Sequence, residues 1–289
     1  RCCGQGSRFI QGSEETYQGK QKLREMQEEG EEAYEEIIKG KSKLNMDKKK
    51  STLEMLRISD EVYTLLSRMT NLPYVECDPE TYDDQIFIFF DEGEAKKAAS
   101  RLLNEKAPVQ AVKVEKRSFL VFYTALYPMG VNCIVVNEGT SERIAVQLEE
   151  LIQRADPQKL PKGQIWVENP QFHLTAIYFV QEIRKNPGQE MTDELKALYE
   201  EMLAHFGRGR YIFAARQDQG ILVLKGQDGQ AYQPLFTDSQ EFQKFNREKK
   251  LRAMVVDAGK LVELVPPECS GVVVNPMGVN VQLKLASRN

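Results

Sequence analysis

Apolar residues in this chain fall into two kinds of segment, short continuous runs and helical stripes, and the two alternate in the same order in both halves. Residues 85–90 (QIFIFF) form a continuous apolar run, which predicts a central strand covered on both faces. Asp91 follows as a helix cap with Glu94 at the capping-box position, and the helix should reach about Asn104. Residues 109–114 predict a strand, 118–126 a helix and 133–137 a strand. In the second half, 193–206 predicts a helix, acidic at its start and closed by Gly207, and 211–216 a strand. Residues 221–225 and 230–236 flank Gly226-Gln227-Asp228-Gly229 as a hairpin. Thr237 and Gln240 spell a capping box for a helix to about Lys249, followed by a strand at 252–257, a helix at 259–265 and a strand at 271–275.

The remaining segments fill in the first half. Ser51-Thr52-Leu53-Glu54 reads as a capping box, opening a helix through Leu56, Val62, Leu65, Leu66 and Met69, and 74–77 is a short strand. Ile144, Leu148, Leu151 and Ile152 share one helical face over 141–153. Residues 164–168 predict an edge strand, and Asn169-Pro170 starts a helix to about Lys185, which Pro187-Gly188 ends. The repeat places Leu126, Pro128, Val136 and Asn137 opposite Leu264, Pro266, Val274 and Asn275, and Phe90-Asp91 opposite Phe236-Thr237. Only about seven residues separate Cys77 from Gln85, where the second half has a whole hairpin, so the first unit is expected to be reduced. The expectation is an α+β chain with two related sheet-plus-helix domains in tandem. A charged helical or disordered arm occupies residues 1–50, a first domain with extra C-terminal helices 51–186, and a second domain 190–289.

Composition narrows the function classes. The chain has 289 residues, 41% of them apolar and 28% charged, enough for two separate cores. A net charge of −4 is no footprint for nucleic acid. Five scattered cysteines without a CxxC pair fit neither a disulfide framework nor a zinc site, and suit reduced thiols in a cytosol. The uncharged stretch 118–137 is broken by Pro128, Gly130 and Asn132, so a buried helix and strand fit better than a membrane span. Arg1-Cys2-Cys3-Gly4 could be the remnant of a lipidated leader, but an artefact or unstructured start is the plainer reading. In the arm, Leu23, Met26, Ala33, Tyr34, Ile37 and Ile38 approximate a helical stripe, and three glycines weaken it.

Three pieces of the second half carry a resemblance: Tyr211-Ile212-Phe213-Ala214, then Leu235-Phe236-Thr237-Asp238-Ser239 with the aromatic helix Glu241–Phe245, and Ser270-Gly271-Val272-Val273-Val274-Asn275-Pro276. Together they resemble the SseB-type domain, named for the enhanced serine sensitivity proteins of bacteria. The resemblance covers about 190–289 well and 53–140 only through the repeat. It implies an α+β fold and carries over no catalytic residue.

Candidate chemistry is sparse. Asn275-Pro276-Met277-Gly278 is either a turn with positive φ at Gly278 or a loop presenting Asn275 and its backbone to a ligand at the strand ends. Phe206-Gly207-Arg208-Gly209-Arg210 is either a helix stop with solvated arginines or an anion-binding loop. Asn275, Pro276, Gly278, Arg208 and Arg210 are therefore the candidate ligand- or partner-binding residues. His173 and His205 lie in no metal-binding pattern, and Cys269 has acidic Glu268 as its neighbour, which disfavours a thiolate. The reading is a bacterial, cytoplasmic, non-enzymatic interaction or regulatory protein. It has a protein partner, no cofactor, no metal, no catalytic residue and no nucleic acid. An anion- or small-molecule-binding accessory to amino-acid or sulfur metabolism is the alternative.

Overall fold

In the computed structural model, which describes residues 42–154, 156–161, 165–188, 190–216, 222–226 and 228–285, the strand-forming segments pair into two six-stranded sheets. The first holds β1 (Glu61–Ser67), β2 (Glu76–Cys77), β3 (Asp84–Phe89), β4 (Val109–Glu115), β5 (Cys133–Val136) and β6 (Ile144–Gln147), in the order β4-β1-β3-β5-β6 with β2 on β3. The second holds β7 (Arg210–Arg216), β8 (Leu224–Lys225), β9 (Ala231–Phe236), β10 (Leu251–Asp257), β11 (Gly271–Val274) and β12 (Val281–Lys284), in the order β10-β7-β9-β11-β12 with β8 on β9. Strand order agrees between the sheets, and so does register. Gln85 pairs with Cys133 as Tyr232 pairs with Gly271, both in parallel, and Glu61 pairs with Glu115 as Arg210 pairs with Asp257.

The parallel pairs need crossovers, and helices supply them. In the first crossover, α2 (Glu92–Asn104) is capped by Asp91, whose carboxylate accepts from the Glu94 amide at 2.9 Å. Its Ala95, Ala98 and Leu102 face Leu65, Phe87 and Phe89 of the sheet. After β4 comes α3 (Phe119–Met129), which ends at Gly130 with φ 88°. A side chain there would be strained by φ and would also meet the Leu174 Cβ and the Pro170 carbonyl at 2.9 Å.

Residues 42–58 (α1) precede the first sheet, and α4 (Leu148–Leu151) follows it. Next come α5 (Pro170–Lys185) and α6 (Asp193–Arg208), and the second sheet carries α7 (Ser239–Phe245) and α8 (Leu261–Leu264). One cluster of buried residues takes in Ile86, Ile134, Phe172, Ile177, Leu235 and Val274, so α5 packs in a core to which both sheets contribute. The Phe172 ring centre lies 5.6 Å from that of Phe206, tilted, and 5.8 Å from that of Tyr211, edge to face. Truncating such a buried aromatic to Ala costs about 3–5 kcal/mol. Contacts gather the described residues from 52 onward into one compact unit.

Several expectations need correction. The helix opened at Ser51 is already helical from residue 42, ends at 58, and does not continue to Met69. Residues 61–67 are β1, where Val62, Tyr63 and Thr64 favour strand geometry over the loose helical spacing of the leucines. The helix over 141–153 is instead β6 followed by one turn: Ile144 and Val146 are buried and Ala145 is exposed, a period of two. Residues 165–168 join no ladder, and Gln164 lies outside the described residues. The first unit is not short of a hairpin, because β2 covers the start of β3 as β8 covers the start of β9. The α7 helix is capped by Asp238 rather than Thr237 and stops at Phe245, which moves the repeat by one residue, so that Asp91 corresponds to Asp238. β12 had no forecast. The helical stripe over 23–38, Cys2, Cys3 and Ile221 lie outside the described residues.

Candidate functional site

Each sheet ends its second parallel strand in an asparagine with left-handed backbone. Asn137 has φ 53° and Asn275 has φ 48°, a conformation Asn tolerates better than any residue except Gly. Their backbone amides donate to the Ile88 and Leu235 carbonyls, at 2.8 and 2.9 Å. Their side-chain carbonyls accept from the residue just past the central strand. The bond from the Thr237 amide to Asn275 is 3.0 Å and buried, and the bond from the Phe90 amide to Asn137 is 3.4 Å and part-exposed. The positive φ expected at Gly278 is at Asn275 and Asn280 instead. Asn275 has no exposed surface. Its amide nitrogen donates to Thr237 Oγ1 at 2.8 Å and faces His173 Nε2 at 3.4 Å.

His173 was legible only as a residue in the first turn of its helix. It is 1% exposed, on the α5 face turned toward the second sheet. Its Nδ1 lies 3.2 Å from the Pro128 carbonyl, which can only accept, so Nδ1 carries the proton and Nε2 accepts from Asn275. The ring is therefore neutral, and burial holds its pKa below the ordinary 6.5 against the opposing pull of Glu241 and Asp238. Asp238 binds two α7 amides, of Gln240 and Glu241, through Oδ1 at 2.9 Å, and accepts from Thr237 Oγ1 through Oδ2 at 2.7 Å. Glu241 is 2% exposed; one carboxylate oxygen meets Lys244 and the other has no partner among the described residues.

A second polar staple sits at the start of α5. Asn169 occupies the cap position but does not cap its helix. Its Nδ2 donates to the carbonyls of Arg210 and Thr237, at 2.7 and 2.8 Å, and its Oδ1 accepts from the Arg210 amide at 3.2 Å. Gly209 makes room for it: a Cβ there would lie 2.5 Å from Asn169 Oδ1 and from the Tyr211 hydroxyl.

Bordering these networks, three clefts adjoin along the extended residues 165–169 and the first turn of α5. One of about 530 Å³ lies between α3, β6 and α5, and shares Tyr127 and Arg154 with a second of about 380 Å³. The second shares Trp166, Val167 and Glu168 with a third of about 510 Å³. Arg154 lies over the Tyr127 ring at 5.5 Å and pairs with Glu168. At one end of the series, Asp84 takes a hydrogen bond from the Tyr178 hydroxyl at 2.5 Å, and burial raises its pKa. At the other end stand His205, Arg208 and Arg210.

The candidate residues thus divide. Arg208 and Arg210 come together on the third cleft, with Gly209 between them. Asn275, Pro276 and Gly278 line none of the three, and Asn275 is engaged inside the fold. The Cys269 thiol is pushed up by burial and by Glu268. Among the described residues no three metal-binding side chains converge, and no helix is long and apolar enough to cross a membrane. Sequence reasoning passed over Tyr127, Arg154 and Trp166; the one available signal was a lone tryptophan just ahead of an Asn-Pro helix start.

Comparison with curated proteins gave no match. Among solved structures, Anabaena Tic22 (protein transport) aligns over 78% of this chain and 92% of that chain, at 12% identity and a TM-score of 0.19. A superposition that loose carries no argument. The family comparison falls on the second sheet and the helix before it: residues 186–286 match the SseB protein N-terminal domain, and this part of the chain is SseB-like.

Proposed function

We propose that the chain is a non-enzymatic interaction protein that holds an extended segment of a protein partner in the groove formed by the three adjoining clefts. The observation that carries this reading is their continuity. Shared walls at Tyr127 and Arg154 and at Trp166–Glu168 make one continuous groove whose sides mix polar and charged residues with the aromatic Tyr127 and Trp166. The placement of the two histidines supports the non-enzymatic part of the proposal. Both His173 nitrogens are engaged inside the fold, so the ring is a poor general base for anything in the groove. His205 is the other histidine, and it pairs with Glu201 on the surface of α6. The matching strand order and register support a further part of the proposal, that residues 61–147 are a diverged second copy of the SseB-type unit.

Trp166 is the one tryptophan of the chain and lines two of the clefts, so its emission reads the groove directly. Peptides that occupy the groove should shift that emission saturably, and Arg154→Gln, at a half-exposed side chain that lines two of the clefts, should weaken the response several-fold while leaving the thermal midpoint within a few degrees. Emission that never responds to any peptide would defeat the reading.

A further inference from the structure

We propose that the third cleft receives the acidic stretch of the partner segment, which then runs toward the Asp84 end with its apolar residues against Trp166. The inference rests on the groove reading and adds a polarity to it. Two guanidiniums from different elements converge at this end: Arg208 from the last turn of α6 and Arg210 from the start of β7. A cation at a helix C-terminus is favourable in any case, so charge on α6 alone decides nothing. The convergence on a cleft walled by Trp166 does.

The acids nearby leave this cationic end incompletely neutralised. Glu168 is paired with Arg154, and Glu201 with His205. Arg210 faces Asp257 at 3.4 Å, with both side chains more than half exposed, an ion pair of little worth that a ligand can displace. Arg208 makes no ion pair among the described residues. A planar guanidinium with free donors takes carboxylates in bidentate fashion. At the opposite end the first cleft presents Asp84 and Glu149 beside Arg154, so charge changes sign along the channel and selects one direction of the bound segment.

The test uses the whole chain and three libraries of 12-residue peptides without tryptophan, each with eight randomised positions after four Glu, four Gln or four Lys. Trp166 emission is titrated at low salt and near physiological salt. The Glu library is expected to bind at least tenfold more tightly than the Gln library, and the Lys library more weakly than either. The Glu preference should shrink with salt and should largely vanish in the Arg208→Gln, Arg210→Gln double variant, whose thermal midpoint serves as the folding control. Equal binding of the Glu and Gln libraries, or a double variant that keeps the preference, overturns the polarity while leaving the groove reading intact. Free glutamate or phosphate binding as tightly as the Glu library would make the cleft a small-anion site and overturn the proposal. If no library moves Trp166, the groove reading falls as well.

Discussion

The two sheets follow one plan and use the same turn differently. Asn137 and Asn275 hold equivalent places, with the same left-handed backbone and the same bond back to the central strand. In the first sheet the asparagine is partly exposed and its side-chain bond is long, at 3.4 Å. In the second, α5 packs over the turn, and the residue past the central strand is Thr237 rather than Phe90. That hydroxyl links Asn275 to Asp238 and brings His173 into the network. A polar group enclosed in this way must be fully paired, so the same turn tolerates far less change once it is buried. The covering helices differ too. Thirteen residues of α2 cover the first sheet, where seven of α7 serve the second.

Substitutions can break or sharpen that contrast. Asn275→Ala removes an acceptor and a donor inside the core and leaves Ala at positive φ, for a loss of about 3–4 kcal/mol in urea unfolding. Asn275→Gly should rescue only the strain. Asn169→Ala should cost about 2–3 kcal/mol by releasing the Arg210 and Thr237 carbonyls from the start of α5. Acid separates the two sheets in a third way. His173 has a depressed pKa, so below pH 6.5 the unfolded chain takes up a proton that the folded chain refuses. Stability is then intact above pH 6.5 and falls beneath it by at most about 1.4 kcal/mol per pH unit. His173→Gln should be less stable overall but should lack this slope, when unfolding of the two proteins is compared between pH 7 and pH 5.5. The smallest effect belongs to the first sheet. Asn137→Ala should cost about 1 kcal/mol, mostly strain, and Asn137→Gly should be close to neutral in the same measurement.

Strands that are apolar throughout were legible in the sequence, and so were helices with a local cap. β3, β5, α2 and the start of α5 stand where the pattern put them, because their signals lie within a few residues. β1 and β6 read as helix because their buried positions also fit a 3.6 period over so short a stretch, and β12 alternates over only four residues. The site was less legible. The Asn275 turn could be read from its own residues, but its partner His173 is 102 residues away. The groove exists only because Tyr127, Arg154 and Trp166 are brought together by packing, and no local pattern records that.

Native-state hydrogen exchange at two amides tests the central contrast most directly. The Thr237 amide, bonded to Asn275 in the core, is expected to exchange only through global unfolding, while the equivalent Phe90 amide, bonded to Asn137 at the surface, exchanges through local opening at least tenfold faster. Equal protection of the two amides, or faster exchange at Thr237, would contradict the account.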